Sequence, residues 1–226
     1  MAPPVIAVDA LSLEALTRAM AGTTHVAYVP RTHLGTARLI QASRADLESV
    51  VVDNVARAAK ASGVADVTAL DSVTTFDADT TLLVPPPPSS RSTVLSIQRL
   101  PLPRGRDAAW AAREYPRWCD RALGPVWAIV DPDETVRLRI RPSTADVLVF
   151  APLVTDVDRY VWRIAGGVLA KADQHGTFEL REIAGDLFSI VHDFEPSLPW
   201  WIYRATEAPS HVRVMHAFGR AIAGIG

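Results

Sequence analysis

Two adjoining stretches decide the fold: Gly176–Phe194, GTFELREIAGDLFSIVHDF, and Leu198–Ile225, LPWWIYRATEAPSHVRVMHAFGRAIAGI. The first reads as two paired strands, Gly176–Ile183 and Leu187–Phe194. The second reads as a long, Trp-rich terminal helical segment. Pro209 is expected to kink or restart it, with Ser210–Ile225 as its second part. A sheet that ends by wrapping one long helix can leave a cavity between sheet and helix. A small-molecule pocket is therefore the leading expectation.

Working upstream, more strands precede this pair. Val94–Leu100, Val126–Val130, Thr135–Arg141, Val147–Ala151 and Arg159–Ile164 all carry strand patterns. Thr135–Arg141 alternates cleanly, with Val136, Leu138 and Ile140 on one face. Arg137, Arg139 and Arg141 then fall on the other, which reads as a solvent face. Asp107–Leu123 is helical but contains Pro116. Proline removes a backbone donor and clashes with the preceding turn, so two short helices are expected, roughly 107–114 and 116–123.

Before a run of four prolines, Val84–Ser92, the grammar differs. Val5–Val8, His25–Val29 and Val67–Leu70 read as short strands. Between them, Ser12 can cap a helix running to Met20 and stopped by Gly22, and Ala45–Ser62 reads as a helix stopped by Gly63. Strand alternating with helix points to a parallel α/β sheet. The expected organisation is α+β: an α/β segment over 1–80, a Pro-rich linker over 81–92, and a domain over 93–226 whose antiparallel sheet wraps the terminal helix.

The 226 residues are 49% apolar and 21% charged, with a formal net charge of −2. Such a balance offers no electrostatic footprint for nucleic acid or an acidic membrane. No apolar run is long enough to span a membrane, and the N-terminus is not a secretory signal. Cys119 is the single cysteine, so no disulfide can form within the chain. That fits a cytoplasmic location. Arg117 and Arg121 near Cys119 leave a reactive thiol open beside the reading of inert packing.

Two resemblances follow from particular residues. Val8-Asp9 with Leu13–Leu16, Thr24–Val29, Asp53–Lys60 and Gly63-Val64 resemble an interior slice of the atypical short-chain dehydrogenase/reductases, the NmrA-like NAD(P)-binding proteins. The resemblance implies a partial Rossmann-like segment that starts after the cofactor-binding unit. The glycine-rich turn that cradles a pyrophosphate is not found. The family's Tyr-x-x-x-Lys pair is missing too: four residues after Tyr28, Tyr115, Tyr160 and Tyr203 come Thr32, Cys119, Ile164 and Glu207. No cofactor is therefore expected.

Downstream, Ser96–Pro101, Gly166-Gly167, Gly176-x-Phe178-Glu179-x-Arg181, His192-Asp193-Phe194 and Leu198-Pro199-Trp200-Trp201-x-Tyr203 resemble the START/polyketide-cyclase superfamily. That implies a helix-grip domain and a role among cyclases, lipid carriers and simple ligand binders.

Several residues are candidates for the site. By period-2 geometry Phe188, Ile190, His192 and Phe194 share a face of the last strand. His192 among them is the candidate catalytic acid/base, expected to be the most buried titratable group. A core histidine with a satisfied ring is the other reading. Tyr203, Glu207 and His211 are spaced i, i+4, i+8, which can form a polar chain along a helix or a solvated edge. Tyr160, Trp162 and Trp200 are candidate ligand-binding aromatics, unless they simply fill the core or, for Trp200-Trp201, an exposed patch. Scattered histidines give no metal-ligand spacing.

Three functions stay open. The first is binding of a small apolar or aromatic molecule in a helix-grip cavity, with cyclase-like acid/base chemistry as an extension. The second is an interaction or scaffold protein that uses the incomplete α/β sheet to meet a partner chain or a second copy. The third is a residual NAD(P)-dependent oxidoreductase.

Overall fold

The computed structural model describes residues 4–30, 36–70, 79–87 and 92–225. In chain order the elements begin with β1 (Val5–Ala7), α1 (Leu13–Met20), β2 (His25–Tyr28), β3 (Leu39–Gln41) and α2 (Arg44–Ser62). Next come β4 (Asp66–Ala69), β5 (Thr80–Val84), β6 (Val94–Pro101), α3 (Ala108–Ala122), β7 (Val126–Val130) and β8 (Val136–Ile140). The remainder is β9 (Asp146–Thr155), β10 (Arg159–Gly166), β11 (Thr177–Ile183), β12 (Asp186–Phe194), α4 (Trp200–Ala205) and α5 (Glu207–Ala223). The fold is α+β.

Two compact units divide the chain, and not at one point. The first is Met1–Ala37 with Ser43–Arg91; the second is Arg38–Ala42 with Ser92–Gly226. The expected boundaries of 1–80 and 93–226 therefore shift. Thr80–Val84 is a strand of the first unit and not linker, while β3 belongs to the second. Residues 88–91 of the Pro-rich run lie outside the described residues.

In the first unit four parallel strands lie in the order β1-β5-β2-β4. Its helices start and stop where side-chain chemistry dictates. Ser12 Oγ accepts from Ala15 N at 3.2 Å to open α1. Ser43 Oγ accepts from Asp46 N at 3.1 Å to open α2, and Gly63 closes it in the left-handed conformation at φ +69°. Such caps satisfy backbone groups that a helix end leaves orphaned. The two helices pack together, burying Leu16, Met20, Val50, Val51 and Val55. Buried Asn54 donates to Ala10 O at 2.9 Å, so its amide is not stranded among them.

The second unit is built on an eight-stranded sheet, β3-β6-β12-β11-β10-β9-β8-β7. All its pairings are antiparallel except the edge pair β3–β6. Helix α5 packs on β6, and α3 packs on β7, β10, β11 and α5. Between them Tyr115, Trp118, Phe178 and Phe218 form an aromatic core. Tyr115 lies 5.3 Å from both phenylalanine rings, centroid to centroid.

Both proline expectations need correction. Helix α3 runs unbroken through Pro116. An interior proline costs about 3 kcal/mol, but Ala111, Ala112, Tyr115, Trp118 and Cys119 are all buried around it, and that packing offsets the penalty. The terminal segment breaks at Thr206 (φ −122°, ψ −68°), not at Pro209. Pro209 is the third residue of α5. In a first turn the backbone N–H has no intrahelical partner, so proline loses nothing there.

Candidate functional site

A cavity of about 250 Å³ opens inside the second unit. The central strands supply one wall: Val94 and Ser96 from β6, Val191 and Phe194 from β12, Phe178 from β11 and Ile164 from β10. Leu148 and Phe150 of β9, Leu138 and Ile140 of β8 and Val126 of β7 continue it. The helical side brings Tyr115 from α3, Tyr203 from α4, and Glu207, Ser210, His211 and Val214 from α5. Apolar atoms dominate this surface, and its titratable groups come from the helices alone.

Two polar atoms stand out. Glu207 Oε2 and His211 Nε2 are shielded from solvent and have no hydrogen-bond partner among the described residues. Stranding such atoms is costly, so native structures rarely do it without a reason. Burial raises the Glu207 carboxyl to about 7. The same burial lowers the His211 imidazole to about 4. Tyr203 is held well above its ordinary value by burial and by the Glu207 charge. Tyr115 is raised by burial and by its neighbour Cys119. At neutral pH the imidazole and both phenols are uncharged, and only Glu207 is poised between two states.

A small hydrogen-bond network fixes the start of α5 against the sheet edge. Gln41 of β3 donates through Nε2 to Ala208 O at 3.0 Å. Gln98 Nε2 donates to Gln41 O at 3.1 Å and to Ser96 Oγ at 2.9 Å. Ser210 Oγ donates to Thr206 O at 2.6 Å, which leaves the oxygen able to accept a further bond.

The structure sorts the candidate residues. Phe194, Tyr203, Glu207 and His211 are brought together on the cavity wall. Tyr160, Trp162 and Trp200 are not among the lining residues. Trp162 stacks on Phe178 at 5.3 Å and touches Tyr160 and Phe150, filling core. The Tyr160 hydroxyl donates to Glu134 Oε2 at 2.9 Å, and burial raises it to about 12. Trp200 stacks on Tyr203 beneath the Arg38 guanidinium, 4.5 Å from its centroid.

The placement of Phe188, Ile190 and His192 is a correction. Leu187 and Val191 join the core beneath the helices, so Phe188, Ile190 and His192 project from the opposite face. Phe188 instead carries Arg99 of β6 over its ring at 5.0 Å. His192 Nδ1 stands 3.7 Å from Asp193 Oδ2. Phe194 regains the cavity face because the β12–β6 register shifts between Val191 and Phe194, where Asp193 adopts φ +54°. Such a bulge switches the side of every later residue. The imidazole on the cavity wall is thus His211 and not His192.

Cys119 is buried and its thiol is pushed up to about 12, mainly by burial, which favours the inert reading. Among the described residues no cluster of acidic, His or Cys side chains could hold a metal ion, and no helix is long and apolar enough to cross a membrane. Set beside known proteins, the chain matches no family model and no curated sequence.

Proposed function

We propose that the second unit binds one small apolar or aromatic molecule in this cavity and meets its polar handle with Glu207 and His211. The helix-grip reading supports this: a largely antiparallel sheet and a terminal helix, both of which line the cavity. One observation carries the reading, an apolar cavity whose Glu207 Oε2 and His211 Nε2 lack partners. Pockets of this kind pair an apolar wall with a few convergent polar groups. Size sets the scale of the ligand. An apolar cavity of about 150 Å³ accommodates benzene, so about 250 Å³ suits a molecule of two fused rings.

Binding, not catalysis, is the function proposed. The acid/base role expected of His192 finds no support at a residue on the far face of the sheet. The test is calorimetric titration of the full chain with neutral 2-naphthylmethanol. Saturable one-to-one binding is expected, abolished by filling the cavity with Val214→Phe together with Leu138→Phe. No saturable binding, or binding indifferent to the filled cavity, overturns the reading.

A further inference from the structure

We propose that the cavity selects a hydrophobic amine, binding it as the ammonium ion between Glu207, His211 and the surrounding aromatic rings, and rejects the matching carboxylate. The inference rests on the binding reading above and specifies its ligand class.

Four observations carry it. First, with Glu207 ionised the two unpartnered atoms can both accept. A carboxylate oxygen only accepts, and Nε2 of a neutral imidazole accepts when the proton sits on Nδ1. Ser210 Oγ spends its proton on Thr206 O and can accept as well. A handle that only donates fits this set, and an ammonium group carries three donors. Second, no Lys or Arg lines the cavity among the described residues. A carboxylate ligand would face Glu207 with nothing to offset the repulsion. Third, rings from Tyr115, Phe150, Phe178, Phe194 and Tyr203 surround the same space. Aromatic faces attract cations, and more strongly where water is excluded. Fourth, Glu207 Oε2 is already shielded from solvent in the folded chain, so the desolvation of that oxygen is not charged again to binding.

The pH dependence separates this ligand class from a neutral one. The titratable groups facing Glu207 across the cavity are Tyr115 from α3, Tyr203 from α4 and His211 from α5, and the strands contribute none. The phenols are raised and His211 is lowered to about 4, so between pH 5 and 8 only Glu207 changes charge. A primary alkylamine stays protonated throughout that range. Binding the ammonium requires the ionised carboxylate, so affinity must fall as Glu207 takes up its proton.

The experiment is calorimetry on the full chain with 2-naphthylmethylamine, 2-naphthylmethanol and 2-naphthoic acid from pH 5 to 8. At pH 8 the amine should bind at least about tenfold tighter than the alcohol, and the acid more weakly than either. Below the titration of Glu207 the amine should lose about tenfold in affinity per pH unit while the alcohol stays level. Glu207→Gln should cost the amine at least about tenfold more affinity than it costs the alcohol and abolish the amine's dependence on pH, with a cooperative thermal transition showing that the variant is folded. An amine no tighter than the alcohol, an acid that binds best, or a Glu207→Gln variant that weakens amine and alcohol alike overturns the inference. If the alcohol itself fails to bind wild-type protein, the binding reading falls, and the inference with it. An alcohol that binds as well as the amine sinks the inference alone.

Discussion

Glu207 and His211 oppose one another in their effect on stability. Glu207 titrates near 7 when folded against an ordinary 4.5. Its contribution is fully present below about pH 4.5 and is lost as pH rises through 7. His211 titrates near 4 against an ordinary 6.5. Its contribution is fully present above about pH 6.5 and is lost as pH falls through 4. Between pH 4.5 and 6.5 the two slopes cancel in part. Glu207→Gln should expose the histidine's slope, so that urea midpoints rise steadily from pH 4 to 6.5. At pH 8 the variant should be more stable than wild type by about 1–2 kcal/mol, with residual water access allowed for. An unchanged profile would show that the carboxyl is not dehydrated. Trp162→Ala is a second test at this scale. Trp162 is packed among Phe150, Tyr160 and Phe178, so truncation should cost about 3–5 kcal/mol in denaturant unfolding. Spacing made the Tyr203–Glu207–His211 line visible in the sequence, and it survives the break at Thr206. The side taken by His192 was not visible. Residues 187–191 are apolar on both faces except for Ser189, so alternation could not say which face meets the helices.

The elements were most legible where a local signal sets them. Ser12 and Ser43 mark helix starts and Gly63 marks a stop, because capping is a contact between near neighbours in sequence. Pro116 misled for the opposite reason: the packing that holds α3 straight is tertiary. Strand β5 was hidden because Leu82, Leu83 and Val84 abut the proline run and read as the start of a spacer. At Gly167, between β10 and the bridge at Ala170, the backbone stands at φ +112° and a Cβ would lie 2.3 Å from Val147 O. Only glycine fits there. Gly167→Ala should cost about 3 kcal/mol or more. It should also weaken naphthylmethanol binding, because Leu169, two residues on, lines the cavity. Thermal unfolding and calorimetry check the two effects; a variant as stable as wild type contradicts the steric account.

At the scale of the whole molecule, β3 is the least expected feature. Three residues without alternation gave no signal, since their partner β6 lies more than fifty positions later. Yet β3 covers the edge of β6 and supplies Gln41 to the start of α5. Residues 92–226 expressed alone should therefore unfold at a lower temperature than the same piece with 38–42 restored through a flexible linker. Equal midpoints would show that the edge strand contributes nothing. The path of the backbone has a consequence for inheritance as well. It enters the second unit at 38–42, returns to the first, and enters again at 92. A single recombination event in the proline run would hand a recipient gene a sheet with a bare edge, and leave the donor with an orphaned strand. The second unit can be traded between proteins intact only if its two segments, 38–42 and 92–226, move together.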